Sequence, residues 1–135
     1  MVTLAPENIR TYWPVIRPGL EYIQSECSTE WMPEDIFAAC IAGAAELWVD
    51  PAHNDGFLIL QERPLSFEHG KSLLVWVAYL NSGGGVPAYL PLIEEIARRR
   101  GCVKVEFWSP RIGMGRLTEK HGYAIENVIF SKRIT

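Results

Sequence analysis

The sequence predicts an α/β (α+β) domain: a mixed, mostly antiparallel sheet with one parallel strand pair and helices on both faces. Three observations lead there. Leu73–Leu80 (LLVWVAYL) is an apolar run without clean alternation, the pattern of a strand covered on both faces. A glycine loop (NSGGGVP), an amphipathic helix (AYLPLIEEIARRRG) and a second strand (CVKVEFWSP) follow it, and a strand–helix–strand unit implies parallel pairing through a right-handed crossover. The segments before it read as hairpins, which pair antiparallel. At 135 residues, one domain spanning 1–135 is the natural expectation, and folding buries roughly two-thirds of the unfolded chain's surface.

Taken in order, Val2 to Leu4 reads as a short strand. Pro6 suits a first helical turn, with Glu7 at the positive end of the helix dipole. Ile9, Trp13, Ile16, Leu20 and Ile23 recur at helical spacing. Pro14 and Pro18 are expected to bend or split that helix, with a piece before Pro14 and another reaching about Ser25. Pro33, Glu34 and Asp35 open a second helix over IFAACIAGAA. Glu46 to Asp50 is a short strand, PAHNDG (51–56) a turn, and Gly56 to Arg63 the hairpin partner. After a second turn at Pro64–Gly70 comes the central strand. The helix from Pro87 to about Arg100 places Leu90, Ile93, Ile96 and Ala97 on one face. Glu94 and Arg98 can pair at i, i+4 on the other, and Gly101 can end it. Val103, Val105 and Phe107 alternate with Lys104, Glu106 and Trp108 as in a strand. Ile112 to His121 reads as a last helix closed by Gly122, and Ala124 to Ile134 as a final strand.

Composition excludes several function classes. A net charge of −3 and a pI near 5.6 argue against a nucleic-acid partner, because such domains are usually basic. Cys27, Cys40 and Cys102 are odd in number and widely spaced, so they form neither a disulfide framework nor a metal motif. They read as small apolar residues in a reducing compartment. His53, His69 and His121 have no metal-ligand spacing to one another or to a carboxylate, so no metal is expected. The N-terminal stretch lacks the basic start and apolar run of a signal peptide, and Leu73–Leu80 is too short to span a bilayer. A cytoplasmic protein without a membrane partner is the expectation. Oligomeric state is not readable, and a homo-oligomer stays open.

The glycine loop carries the chemistry. Between a strand and a helix N-terminus, its backbone N–H groups can cradle an anion, which points to a phosphate-bearing ligand. The same element order resembles the GNAT family of N-acetyltransferases. The tail is the most specific part: family members often end N-x-x-A-x-x-L-Y-E-K-x-G-F before a strand, and RIGMGRLTEKHGY matches at Leu117, Glu119, Lys120, Gly122 and Tyr123. The resemblance implies that acetyl-coenzyme A lies in a wedge where the strands 73–80 and 103–108 splay apart. Tyr79 and Leu80 would then hold the pantetheine arm by their backbone. The loop Asn81, Ser82, Gly83, Gly84, Gly85 would wrap the pyrophosphate.

Residue by residue, the family's Q/R-x-x-G-x-G/A loop places Asn81 at the Q/R position, Gly84 at the first glycine and Val86 at the G/A position. Gly84 keeps the bare backbone a pyrophosphate needs. Asn81 is shorter than the long polar side chain it replaces, Val86 adds a branched side chain, and Pro87 has no N–H to give. Arg111 stands at the family's asparagine and can contact phosphates. Met114 replaces a helix alanine. Thr118 replaces the tyrosine that reprotonates the leaving thiolate. For the base that takes the ammonium proton, Glu106 is the candidate; its bland reading is a strand carboxylate opposite Lys104 or Lys132. The resemblance implies transfer to a small-molecule or protein amine. The eroded loop keeps open a fold relative that has lost catalysis and serves in binding or assembly, as do some short bacteriophage proteins that resemble this one. A binder of another anion is a third reading.

Overall fold

The computed structural model describes residues 5–27, 29–50, 53–66, 70–79, 86–108 and 120–134. The elements are β1 (Ala5–Glu7), α1 (Ile9–Glu26), α2 (Pro33–Ile41), β2 (Glu46–Asp50), β3 (His53–Leu65), β4 (Gly70–Tyr79), α3 (Val86–Arg99) and β5 (Lys104–Phe107). One five-stranded sheet runs β1-β2-β3-β4-β5. The first three pairings are antiparallel and β4–β5 is parallel. This is the mixed sheet the pattern predicts.

The period-2 alternation sorts side chains onto two faces. Leu47, Val49, Phe57, Ile59 and Val77 face α1 and α2, where Ile9, Ile16, Leu20, Ile23 and Ile36 meet them. Leu58, Leu60, Leu73 and Val75 face α3 and pack on Tyr89, Ile93 and Ala97. Each such fully buried side chain contributes about 1.5–3 kcal/mol. The β4 strand therefore lies covered on both sides, as its unbroken apolar run implies.

Local chemistry explains the boundaries. Asn8 caps α1 by accepting from the Arg10 N–H at 2.9 Å. Pro33 occupies the start of α2, and the Asp35 carboxylate accepts from the Met32 N–H at 2.8 Å. Gly101 ends α3 with φ +70°, and the Cys102 N–H returns to the Ala97 carbonyl at 2.9 Å.

Several expectations need correction. Helix α1 runs unbroken through Pro14 and Pro18. Both prolines lie on its exposed face, so water can solvate the carbonyls that lose their helical donors. Pro6 sits in β1, paired with Trp48, rather than opening the helix; residues 1–4 lie outside the described set. The first hairpin is tighter than a six-residue turn, because β3 already pairs at Asp50↔His53. Arg98 pairs with Glu95 (2.6 Å), as does Arg99 (3.1 Å), and Glu94 accepts instead from the Tyr123 hydroxyl (3.0 Å). Residues 124–134 form no strand and are exposed. Tyr123 is anchored edge-on to Phe107 (5.6 Å) and Glu126 pairs with Lys104 (2.9 Å), yet no ladder to β5 forms beyond them. Most of the expected last helix, residues 112–119, lies outside the described residues.

Candidate active site

The β4–β5 ladder is short. It pairs Ser72↔Lys104, Leu73↔Val105, Leu74↔Glu106 and Val75↔Phe107, and stops there. On its other side β4 keeps pairing with β3 as far as Phe57↔Tyr79. So Val77, Ala78 and Tyr79 pair with β3 alone, and Trp76 pairs with neither neighbour, among the described residues.

A physical cause lies next to the break. The β3–β4 register slips between Ile59↔Val77 and Leu60↔Val75, leaving Trp76 as an extra residue. A bulge of this kind bends the strand and increases its twist. It falls immediately after the last described pair with β5, so the ladder ends where β4 bends. Beyond that pair, β4 presents on this side backbone N–H and C=O groups that an amide-containing ligand can use as a missing strand would.

Tyr79 closes β4 at this opening. Its ring packs on Phe57 (centroids 5.5 Å) and edge-on to Tyr22 of α1 (6.0 Å). A glycine at position 19 makes that approach feasible: a Cβ there would lie 2.8 Å from Phe57 Cε1 and 3.0 Å from Tyr79 Cδ1. Leu80, Asn81, Ser82, Gly83, Gly84, Gly85, Arg111 and Thr118 lie outside the described residues, as does Met114.

Glu106 sits on β5 one residue before the ladder ends. Its Oε1 accepts from Arg63 Nη2 at 2.5 Å, and its Oε2 from Trp108 Nε1 at 3.2 Å. Arg63 also lies over the Trp108 ring at 5.6 Å. The expected partners Lys104 and Lys132 are not the ones it takes; Lys104 is on Glu126. Burial pushes the Glu106 carboxyl up, but the Ser72 hydroxyl, the Arg63 guanidinium and the Trp108 indole N–H together hold it below the usual carboxylate range. The buried Ser72 hydroxyl lies close enough to favour the ionised form, although its geometry falls short of a directed hydrogen bond. At neutral pH Glu106 is therefore ionised and a weak base.

The thiols are poorly suited to nucleophilic work. Burial, with Glu46 nearby, pushes Cys40 up to about 11, and burial raises Cys102 as well. Among the described residues no cluster of His, Cys, Asp and Glu could hold a metal ion, and no helix is long and apolar enough to cross a membrane.

One feature of this end of the sheet was not read from the sequence. The Tyr89 hydroxyl donates to Asp50 Oδ2 at 2.7 Å, and both residues are buried. The only hint is an aspartate directly after the apolar run Leu47, Trp48 and Val49.

The fold recurs in solved acetyltransferases. A candidate acetyl transferase from Pyrococcus furiosus superposes with a TM-score of 0.75 at 16% identity, over 99% of this chain and 100% of that one. The chain carries the GNAT fold. A ribosomal-protein-alanine N-acetyltransferase from Brucella melitensis biovar Abortus 2308 gives a TM-score of 0.73 at 19% identity, covering 99% of each chain. An aminoglycoside acetyltransferase from an uncultured soil metagenomic sample, in complex with sisomicin, gives 0.69 at 10% identity, over 99% of this chain and 97% of that one. No family model matches the sequence, and no curated protein matches it. The GNAT likeness is thus one of backbone course over the whole chain.

Proposed function

We propose that residues 1–135 form a GNAT-like N-acyltransferase domain that transfers an acetyl group from acetyl-coenzyme A to an amine, in the cytoplasm. The observation that carries this reading is the end of the β4–β5 ladder at Val75–Phe107 beside the Trp76 bulge. The free β4 edge from Trp76 to Tyr79 would hold the pantetheine arm, leading to Leu80. The loop Asn81–Gly85, entering the N-terminus of α3, would receive the pyrophosphate on backbone amides, with Arg111 as a further phosphate contact. Acetyl-coenzyme A supplies the thioester acetyl group. A backbone N–H of β4 would polarise its carbonyl, and by the resemblance Thr118 would take the position of the residue that reprotonates the departing thiolate.

Glu106 is the proposed acceptor of the ammonium proton. The amine would enter as a cation and compete with Arg63 for the carboxylate. Fold neighbours named for ribosomal-protein alanine and for aminoglycosides support a protein or small-molecule amine as acceptor.

Calorimetric titration with acetyl-coenzyme A, followed by a thiol-release assay across an amine panel, tests the proposal. Micromolar binding with turnover of at least one amine is the expected result, and Glu106→Gln should lower kcat/KM by about 10²–10⁴-fold. Binding without any turnover would replace transfer with a ligand-binding role. No heat at high protein concentration would end the reading.

A further inference from the structure

The buried Asp50–Tyr89 contact ties the end of β2 to the first turn of α3 and has no part in the chemistry above. Asp50 has no exposed surface and Tyr89 is 1% exposed. The β2–β3 register slips between Val49↔Phe57 and Asp50↔His53. This second bulge falls where Leu47 and Val49 face α1 and α2 while Trp48 faces α3, and beyond it Asp50 meets Tyr89 of α3. Tyr89 stands in the first turn of α3, four positions after Gly85, so the contact holds the turn into which the loop 80–85 runs.

An apolar contact would attach α3 to the sheet without desolvating a carboxylate, and buried charges are often no more stabilising than apolar replacements. What a short hydrogen bond to a carboxylate adds is direction: it fixes the helix's rotation and axial position together. We propose that Asp50 and Tyr89 are positioning residues for acetyl-coenzyme A: their hydrogen bond sets the place of α3's first turn and thereby the loop that takes the pyrophosphate. This rests on the functional reading above. It also carries an unusual sign. A carboxylate at position 50 would repel a pyrophosphate, so if Asp50 acted only through charge, its removal would tighten binding.

Titration calorimetry with acetyl-coenzyme A, thermal melts and amide hydrogen exchange test the proposal on the full chain. Tyr89→Phe should weaken binding about tenfold while kcat at saturation stays within twofold. Asp50→Asn keeps an oxygen acceptor for the tyrosine hydroxyl and should stay within about threefold of wild type. Asp50→Ala should match Tyr89→Phe, and the double variant should be no weaker than either single one. In Tyr89→Phe, the amides of Leu90, Leu92 and Ile93 should exchange faster while those of β3 do not. Lowered Tm with unchanged affinity would reduce the pair to a stability element and overturn the proposal, as would tighter binding in Asp50→Ala. Wild-type protein that binds no acetyl-coenzyme A would refute the enzyme reading itself. If wild type binds and Tyr89→Phe binds equally, only this inference falls. Should Tyr89→Phe not fold, Asp50→Asn with the exchange measurement decides: protection retained at Leu90 supports the clamp, and uniform loss overturns it.

Discussion

Replacing Gly19 with alanine sets two effects of known sign against each other. In an unconstrained helix interior the change stabilises by about 1 kcal/mol, because alanine has less backbone freedom to lose. Here the new Cβ would sit 2.8 Å from Phe57 Cε1 and 3.0–3.1 Å from two Tyr79 ring atoms, where carbon atoms prefer about 3.5–4.0 Å. Phe57 is 2% exposed and anchored in the sheet, so it cannot swing into solvent. Overpacking of this kind costs about 1–3 kcal/mol. The net is a loss of roughly 1 kcal/mol, or about 4 °C in Tm for a domain of this length. Calorimetric melts of wild type, Gly19→Ala, Phe57→Leu and the double variant measure it. The double variant should lose less than the sum of the singles, because leucine vacates the space the methyl needs. A Tm that rises in Gly19→Ala would refute the reasoning, since it would mean that α1 and the Phe57–Tyr79 pair do not approach as described.

Two further outcomes follow from the ionisable groups. Glu106 is held below its ordinary value of 4.5 in the folded protein, so the stability it contributes is present above that pH and lost as pH falls through the depressed value. Melts from pH 6 to pH 3 should show wild type losing more Tm than Glu106→Gln; parallel curves would remove the ion pair with Arg63 as a source of stability. Cys40, pushed up to about 11, should react with a disulfide reagent at pH 8 many times more slowly in native protein than in denaturant, and equal rates would contradict its burial.

Where local chemistry and tertiary packing agree, the sequence was legible. Strand β2 was read to the residue, and α3 was read to within one residue because its apolar stripe and Gly101 agree; α2 was carried too far, to Ala45, because its alanines favour helix while the chain turns at Gly43 (φ +79°) after Ile41. Pro14 and Pro18 misled because proline's penalty depends on whether the orphaned carbonyls reach water, and the exposed face is known only once the helix docks. Residues 124–134 carry the β-branched composition of a strand, but composition does not supply a partner edge. The wedge was proposed through resemblance alone; the extra residue at Trp76, beside which the β4–β5 ladder ends, leaves no mark in a run of apolar residues. Asp50–Tyr89 was missed because nothing local links positions so far apart, and Glu106 was given lysine partners because the approach of Arg63 depends on strand register.

The sheet is ordered spatially as it is ordered in the chain, and this bears on its synthesis. Each strand up to β4 can be laid against its predecessor as it leaves the ribosome. The β5 strand alone must wait for a helix to be made and carried across. Until it arrives, β4 offers the whole length of one edge, from Gly70 to Tyr79, to any passing extended chain. Translation stalled in that interval would release a fragment inclined to associate with copies of itself, and β5, the last strand among the described residues, also borders the proposed cofactor wedge.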